Sequence, residues 1–301
     1  MTTRTAVITG AAGGLGSATA RQLLAAGFDI VAVTRDADSA LAARQALAPD
    51  ARDLTVQALH ADLIDRDDVR TLTARLRESV ERVDVLINNA GAAFPQYAET
   101  ADGVERTHAL NHLAPFQLTH LLLADGLLAA DARIINISSD LVTRGRLDAD
   151  DPDVTGVSWR ERFSQLAVYG TAKLAGVLAT VALAERLPAG MNAYSANPGV
   201  IRTGFSAKSG GLLKAVSSVS GLFAQAPDKA ARTPVLLATT TTPPAPNGGF
   251  FAKGASATPP APARDTDLAA AVYERTARLI GVDSLPRTSN GQGLVGPEAP
   301  R

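Results

Sequence analysis

The sequence predicts an α/β protein with a single, doubly wound parallel sheet covered by helices on both faces. Short β-branched runs alternate with longer helical segments through the first two-thirds of the chain, and runs such as 83–87 and 133–137 are largely apolar. Strands of this kind suit a sheet that is buried on both faces. Right-handed helical crossovers then bring the carboxyl ends of the strands to one edge, where a ligand binds.

The composition is that of an ordinary soluble chain, and it excludes several functions. The chain has 301 residues, 46% of them apolar, with 29 basic residues, 30 acidic residues and no cysteine. This length suits one large domain or two smaller ones, and the near-neutral charge gives no general attraction to nucleic acid or anionic lipid. Without cysteine, disulfides, thiol nucleophiles and thiolate zinc sites are excluded.

Six strands account for most of the predicted sheet. They are expected at 6–9, 30–34, 54–58, 83–88, 133–138 and 192–196. A last short strand at 249–251 lies between Thr- and Pro-rich loops, and a final helix follows at 265–280. We therefore expect one catalytic domain over 1–284 and a frayed tail over 285–301.

The amino-terminus and the apolar runs predict where the protein works. The first residues pass directly into a strand without the apolar stretch of an export signal, and the apolar runs are interrupted well short of the ~20 residues that span a bilayer. These features predict a cytoplasmic protein with no integral membrane segment. The oligomeric state stays open, a homo-oligomer included.

A glycine-rich loop connects the first strand to the first helix. Thr9-Gly10-Ala11-Ala12-Gly13-Gly14-Leu15-Gly16 leads into the helical segment 17–24. Glycines let the backbone approach a pyrophosphate, and the positive end of the helix attracts its charge, so Gly10, Gly14, Leu15 and Gly16 are candidate ligands of a dinucleotide in a Rossmann-type sheet. The alternative is a glycine-rich turn that binds nothing.

The end of the second strand bears on which dinucleotide is bound. A site for NAD usually has an acidic residue there, whereas an arginine favours the 2′-phosphate of NADP. The strand ends Val33-Thr34-Arg35, which favours NADP(H) over NAD(H). In the alternative, Arg35 is a solvated surface charge whose field Asp36 partly cancels.

Tyr169 and Lys173 form a candidate proton-transfer pair. They precede a helical stretch over 174–187, and residues four apart on a helix share one face. A neighbouring ammonium and a cationic nicotinamide favour the phenolate, so we expect Lys173 and the cofactor to lower the pKa of Tyr169. A helix-surface pair is the alternative.

Taken together, the motifs resemble those of the short-chain dehydrogenases/reductases. They occur in that family's order and approximate spacing: Thr9–Gly16, Asp62–Leu63, Asn88–Gly91, Asn111, Ile137–Ser139, Tyr169–Lys173 and Asn197–Gly199. The resemblance covers about residues 5 to 280. Segments 100–105, 111–113 and 262–265 are similar to the branch that contains retinol dehydrogenases and WW-domain oxidoreductases, although no WW domain is present.

The resemblance implies four catalytic residues. Tyr169 would be the general acid or base, and Lys173 would hold the nicotinamide ribose. Ser139, rather than Ser138, would bond the substrate oxygen. Asn111 would kink its helix and hold a water in a proton relay.

The resemblance also implies the cofactor contacts. Asp62 and Leu63 would lie beside the adenine, and Asn89, Ala90 and Gly91 would form the floor of the adenosine ribose pocket. Four residues after the sixth strand would flank the nicotinamide carboxamide, namely Pro198, Gly199, Val200 and Thr203. His108, His112 and His120 could share a helical face, but no carboxylate pattern completes a metal site and we expect none.

Two loops are expected to form the substrate site. Residues 140–165, with the aspartates 148, 150, 151 and 153 and Trp159, form either a polar flap or a merely solvated loop. Residues 205–226 are apolar and amphipathic, which predicts a lid for a lipophilic substrate; a partner-helix or membrane-surface role is the alternative.

The sequence thus predicts an NADP(H)-dependent oxidoreductase that interconverts a carbonyl and an alcohol on a lipophilic small molecule, and it favours a ketoreductase. An alcohol dehydrogenase or an epimerase could use the same scaffold. A nucleotide-sensing protein without turnover is a further alternative, although such a protein would normally tolerate loss of Tyr169 or Lys173.

Overall fold

The computed structural model describes residues 3–201 and 224–288. Its core is an eight-stranded sheet in the order β3-β2-β1-β4-β5-β6-β7-β8. The pairs from β3 through β7 are parallel, and β8 runs antiparallel to β7. The strands are β1 (Arg4–Thr9), β2 (Phe28–Thr34), β3 (Val56–His60), β4 (Val83–Asn88), β5 (Leu128–Ile137), β6 (Asn192–Asn197), β7 (Phe250–Ala252) and β8 (Ala255–Ala257).

Helices cover both faces of this sheet. They are α1 (Gly14–Ala25), α2 (Ala37–Ala51), α3 (Arg66–Ser79), α4 (Arg106–His108), α5 (Ala114–Ala124), α6 (Gln165–Ala184), α7 (Pro227–Ala230), α8 (Arg232–Thr239) and α9 (Thr266–Ile280). Successive strand residues point to opposite faces, so Val7 belongs to one apolar core whereas Ala6 and Ile8 belong to the other. Helices α3, α5, α6 and α9 contribute to the first core, and α1, α2 and α8 to the second. The predicted doubly wound α/β architecture is confirmed.

The strand order reverses direction between β1 and β4. From β1 the chain moves outward through β2 to β3, and it then crosses back to place β4 on the other side of β1. At such a switch point the two crossovers leave a crevice at the carboxyl ends of the strands. The glycine loop follows β1 and the Asn88–Gly91 motif follows β4, so both motifs lie at this crevice.

Some element boundaries differ from those predicted. β5 begins at Leu128 instead of 133, and β8 was not predicted. The helix expected over 174–187 begins at Gln165 and ends at Ala184, so Tyr169 and Lys173 lie inside α6 instead of preceding it. The final helix was predicted correctly, with the Asp265 side chain capping its first turn.

Helix α6 is more apolar than the sequence analysis expected. Of the described helices, it alone has the length and hydropathy of a membrane span, but 78% of its most apolar window is buried inside the protein. A core helix of a soluble protein has the same composition, and this one carries Tyr169 and Lys173. The cytoplasmic location and the domain limits stay predictions.

Candidate active site

The glycine loop is shaped by close backbone contacts at the end of β1. Gly10 has a φ of 69°, a conformation that side chains rarely adopt. At Gly16 a Cβ atom would lie 2.4 Å from the Gly10 carbonyl oxygen and 2.7 Å from the Asn89 amide nitrogen. A side chain at either position would push the loop off β4, so the loop can keep this path only with glycine.

The first turn of α1 suits an anion. No side chain caps it at Gly13, and it contains no acidic residue. A Cβ at Gly13 would meet nothing within 4 Å, so the backbone here borders open space. Free N–H groups at the positive end of a helix bind phosphate groups, and the loop therefore fits the pyrophosphate of a dinucleotide.

Asn89 holds the glycine loop from the end of β4. Its amide nitrogen donates to the carbonyl oxygens of Thr9 (2.8 Å) and Gly10 (3.1 Å). The Thr9 hydroxyl in turn accepts from the backbone N–H groups of Asn89 and Ala90, both at 3.0 Å. Thr9 was missed as a site residue, because its partners lie 80 positions away and only the strand order brings them together.

Arg35 lies just beyond the end of β2, as predicted, but it is paired. Its side chain is 78% exposed and its Nε lies 3.4 Å from the carboxylate of Asp36. Asp36 is also the cap of α2, accepting from the Ser39 N–H at 2.8 Å. This hydrogen bond and the Arg35 charge lower the pKa of Asp36. Arg35 is thus held by one exposed ion pair, in which a phosphate would compete with Asp36.

Asp62 and Leu63 follow β3 at the same edge of the sheet. The Asp62 carboxylate accepts from the Ile64 N–H at 3.2 Å, and its own N–H donates to Asp68 at 3.0 Å. Leu63 is buried against the core. The two residues therefore form an ordered turn beside the crevice, where the resemblance expects the adenine.

Tyr169, Ser139 and Lys173 come together where β5 meets α6. Tyr169 is 7% exposed and hydrogen-bonds the Ser139 side chain, while the Lys173 Nζ lies 5.7 Å from the centre of the Tyr169 ring. Ser138 points away, with its hydroxyl buried and without a hydrogen-bond partner in the described protein. The structure thus brings Ser139, not Ser138, to the tyrosine.

The expected lowering of the Tyr169 pKa is wrong for this structure. Burial is the largest influence and raises the pKa above its usual value of 10, and the Ser139 hydrogen bond opposes this only in part. Removing a phenolate from water costs more than that one donor returns. Tyr169 is therefore protonated at neutral pH and is a proton donor.

Lys173 is also perturbed by burial. It is 6% exposed, and its Nζ donates to the Ile137 carbonyl oxygen at 2.8 Å. Burial lowers its pKa from 10.5 to about 8. The ammonium is still the main form at neutral pH, but its charge is poorly solvated, which favours any hydroxyl or anionic group that approaches it.

Asn111 lies in a π-helical turn, Ala109–Leu113, between α4 and α5. The predicted distortion of the helix at this residue is confirmed. The Asn111 amide donates to the carbonyl oxygens of Ala92 (2.7 Å) and Thr107 (2.8 Å), and its Oδ1 is buried without a hydrogen-bond partner among the described residues. A water held by Asn111 stays a prediction.

A small cavity of mixed lining lies behind Lys173. Its volume is about 30 Å³, and polar side chains such as Lys173, Asn111 and Ser138 line it together with apolar ones such as Phe116, Val177 and Leu183. A cavity of this size with several polar partners can hold ordered water, which needs about 10–15 Å³ and two to four polar partners. The inner side of the site therefore combines apolar packing with polar groups that can bind water.

The loop after β6 faces Ser139 across the crevice. Gly199 has a φ of 70°, and Val200 is 46% exposed. Thr203 and nearly all of the predicted lid over 205–226 lie outside the described residues. Pro198, Gly199 and Val200 do lie at the same sheet edge as Tyr169, as predicted.

The outer side of Tyr169 is apolar, and the 140–165 loop is ordered beside it. Ala93, Leu141 and Leu166 pack against Tyr169. In the loop, the Asp153 carboxylate accepts from the N–H groups of Thr155, Gly156 and Ser158. Burial raises the pKa of Asp153, but the hydrogen bonds from Thr155 and Ser158 outweigh it and lower the pKa to about 2. Arg160 pairs with Glu99. The loop is thus a folded flap instead of a merely solvated acidic run.

The three histidines near Asn111 have separate partners. His108 contacts Glu105, His112 contacts Thr276, and His120 bonds Tyr273 and the Phe116 carbonyl. In the part of the chain that the structure describes, no three His, Asp or Glu side chains lie together in a way that could hold a metal ion.

Comparison with known proteins identifies the class of protein that this fold and site define. A family model described as short chain dehydrogenase matches residues 4–147. The chain is 34% identical to human retinol dehydrogenase 13 over 289 residues, which are 93% of this chain and 86% of that protein. It therefore belongs to the short-chain dehydrogenase family and is an oxidoreductase.

The likeness to retinol dehydrogenase 13 places the chain in the retinol dehydrogenase-like branch, and further relatives and solved structures are similar over most of its length. The chain is 33% identical to DnrU of Streptomyces sp. (strain C5), named as a candidate daunorubicin C-13 ketoreductase, over 92% of this chain and 93% of that one. A crystal structure of an uncharacterized protein from Mycobacterium paratuberculosis is similar at a TM-score of 0.74, with 31% identity over 94% and 95% of the two chains. The structure of a Sphingobium yanoikuyae short-chain dehydrogenase in complex with NADPH is similar at a TM-score of 0.58. The two chains are 26% identical, and the match covers 78% of this chain and 84% of that one.

Proposed function

We propose that the protein is an NADP(H)-dependent ketoreductase that reduces a carbonyl group on a lipophilic small molecule. One observation carries this proposal: a buried, protonated Tyr169 contacts Ser139 beside Lys173, at the sheet edge that also carries the glycine loop. A phenol whose pKa is raised donates a proton readily only to a base that forms beside it, such as a developing alkoxide.

In the proposed reaction each residue has one task. A reduced nicotinamide supplies the hydride when it is bound. Ser139 donates a hydrogen bond to the substrate oxygen, and Tyr169 transfers its hydroxyl proton to that oxygen as negative charge develops there. The Lys173 ammonium holds the ribose hydroxyls and stabilises the tyrosinate that remains. The water-sized cavity behind Lys173, which Asn111 and Ser138 also line, supports return of the proton from the inner side.

The choice of NADP(H) rests on Arg35. The sequence offers no acidic residue at the end of β2 to hold a ribose hydroxyl, and the exposed Arg35 can exchange Asp36 for a phosphate. The similar Sphingobium enzyme was solved with NADPH. An arginine pairs more strongly with a phosphate than with one solvent-exposed carboxylate, so the 2′-phosphate would replace Asp36 as the partner of Arg35.

The choice of a lipophilic carbonyl rests on the surroundings of Tyr169. Ala93, Leu141 and Leu166 give the outer pocket an apolar wall. The similar protein DnrU, which is named as a candidate daunorubicin C-13 ketoreductase, supports a ketone as the group that is reduced. An alcohol dehydrogenase or an epimerase could use the same residues, and a nucleotide-binding protein without turnover is the remaining alternative.

The test combines cofactor binding with a panel of aryl and alkyl ketones. We expect NADPH to bind, as followed by its fluorescence, and to be oxidised with at least one ketone. Tyr169→Phe should lower turnover by about 10²- to 10⁴-fold, the usual share of general acid catalysis, with little change in NADPH affinity. Tyr194→Phe, which removes a buried hydroxyl bonded to Pro244 elsewhere in the sheet, is the matched control. Binding without oxidation on any ketone would favour the nucleotide-binding alternative.

A further inference from the structure

Asn197, the last residue of β6, uses both ends of its side-chain amide. Its Nδ2 donates to the Asp140 carboxylate at 2.7 Å, and its Oδ1 accepts from the Gly199 N–H at 3.0 Å. Asn197 is 6% exposed, so its amide depends on these protein partners. It therefore connects a charged group after β5 to the backbone of the loop after β6.

The Asp140 end of this connection is rigid. Asp140 directly follows Ser139 and opens a 3₁₀ turn, Asp140–Arg144, in which the Thr143 hydroxyl donates to the Asp140 carbonyl oxygen at 2.9 Å. The Ser139 hydroxyl oxygen accepts from the Leu141 N–H at 3.2 Å. Ser139 and Asp140 thus belong to one ordered turn, and the exposed Asp140 carboxylate is oriented by its bond to Asn197.

The loop at the other end is held in a conformation that needs support. Gly199 has a positive φ, and the Asn197 side chain bridges to its N–H across Pro198. On the far side, Gln225 donates its backbone N–H to Val200 at 3.0 Å and its side-chain amide to Pro198. The loop is therefore fixed between Gln225 and the Asp140–Asn197 pair.

From this geometry we propose that Asp140 is a positioning residue, which acts through Asn197 to set the 198–200 loop relative to Ser139. The inference rests on the proposed function, in which Ser139 holds the substrate oxygen and the 198–200 loop flanks the nicotinamide. The Asp140–Asn197 bond then fixes the spacing between the substrate carbonyl at Ser139 and the nicotinamide at the 198–200 loop. A charged acceptor suits this task, because its hydrogen bonds are shorter and stronger than neutral ones.

The reciprocal arrangement of donor and acceptor allows a test by exchange. Asp140→Ala removes the acceptor. Asp140→Asn retains an acceptor oxygen. Asn197→Asp removes the donor and sets two carboxylates against each other. In the double variant Asp140→Asn/Asn197→Asp, the amide at 140 can donate to one oxygen at 197, while the other oxygen still accepts from the Gly199 N–H. Asp148→Ala, on an exposed aspartate of the same loop, is the matched control.

Three measurements separate the outcomes. We expect Asp140→Ala and Asn197→Asp to speed hydrogen exchange at the Gly199 amide, to weaken NADPH binding and to lower kcat. Each effect should be about tenfold, because a tenfold change corresponds to the loss of one hydrogen bond worth about 1.4 kcal/mol. Asp140→Asn and the double variant should stay within about threefold of wild type, given the smaller strength of a neutral bond.

Two results would overturn the positioning role. The first is an Asp140→Ala variant whose Gly199 amide exchange rate, NADPH affinity and kcat all equal those of the wild type. The second is a double variant no better than Asn197→Asp alone. The exchange measurement needs no cofactor or substrate. If the wild-type protein failed to bind NADPH, the proposed function would fail by itself, and Gly199 exchange would still decide whether Asp140 sets the loop.

Discussion

Two histidines buried beneath α9 should make the folded protein sensitive to mild acid. The His112 Nε2 lies 2.8 Å from the Thr276 hydroxyl, whose own proton goes to the Val272 carbonyl oxygen. Thr276 must therefore accept from Nε2, and the His112 Nδ1 is left buried without a partner among the described residues. This arrangement requires the neutral form of His112.

The surroundings of His120 lead to the same conclusion. Its Nδ1 lies 2.8 Å from the Phe116 carbonyl oxygen, which can only accept. Its Nε2 lies 2.8 Å from the Tyr273 hydroxyl, and that hydroxyl oxygen accepts from the Leu285 N–H. The Tyr273 hydroxyl can donate its own proton to an unprotonated Nε2, and burial favours this neutral form of His120.

The size of the effect follows from the pKa values. Burial lowers the pKa of His112 from 6.5 to about 3 and that of His120 to about 4. Because the folded values are depressed, the unfolded chain binds these protons first. The free energy of unfolding is therefore unaffected by the two histidines above pH 6.5, and it decreases as the pH falls towards their folded pKa values of about 4 and about 3. At pH 5, 1.5 units below the unfolded value, each histidine costs about 2 kcal/mol, at 1.36 kcal/mol per unit.

The measurement is the free energy of unfolding in urea at pH 7.5 and pH 5. The difference between the two pH values should shrink by about 2 kcal/mol in His112→Gln and likewise in His120→Gln, since glutamine does not titrate. Carboxylates contribute equally to wild type and variants and cancel in this comparison. His60→Gln, at the exposed end of β3, controls for the loss of a histidine as such.

One result would refute this reasoning. If His112→Gln and His120→Gln showed the full wild-type difference between pH 7.5 and pH 5, the histidines would not be held neutral, and the hydrogen-bond directions assigned around Thr276 and Tyr273 would be wrong. A lower stability of either variant at both pH values would not matter, because only the pH-dependent part is compared.

Three further predictions concern the crevice. Arg35→Ala should weaken NADPH binding by about tenfold, because one charged contact is lost, and should leave NADH binding unchanged. Fluorescence titration measures both affinities, with Arg77→Ala as the control, and equal losses of affinity for NADPH and NADH would contradict the prediction. Gly91→Ala would place a Cβ 2.6 Å from the Asn111 Oδ1 and should destabilise the protein by about 1–3 kcal/mol in urea unfolding, whereas Gly176→Ala, with its nearest contact at 3.7 Å, should not. Lys173→Met should abolish turnover. The same variant should raise the free energy of unfolding at pH 7 by up to about 3 kcal/mol, since the lowering of the Lys173 pKa from 10.5 to about 8 measures the cost of burying its charge. A less stable variant would show that the buried charge does not destabilise the protein.

The sequence predicted those parts of the fold and site whose signal is local. β1, the glycine loop and α1 are consecutive, and their chemistry can be read from eight residues. The strands were found because β-branched runs are local too. β8 was missed, since Ala255–Ala257 is only three residues long and has no β-branched residue. Its partner β7 forms the strand through backbone bonds that composition does not reveal.

The missed site residues depend on contacts between distant segments. Thr9 acts on residues 89 and 90, and Asp140 acts on Asn197, 57 positions away. Both pairs join the ends of neighbouring parallel strands, so their recognition needs the strand order and register. Ser138 and Ser139 were ambiguous for a related reason. Successive strand residues face opposite sides, and only the structure shows which side Tyr169 occupies.

The pKa of Tyr169 was misjudged because spacing predicts a neighbour but not its solvation. Lys173 is four residues away, yet burial affects both groups in opposite directions: it raises the pKa of the phenol and lowers that of the ammonium. Burial therefore disfavours charge on either residue before any ligand arrives. Proton transfer from Tyr169 to a substrate alkoxide leaves a tyrosinate beside the ammonium, and the pair then neutralises the charge that burial disfavoured. The protonated Tyr169 is the form that carbonyl reduction requires, whereas alcohol oxidation by the same pair requires the tyrosinate.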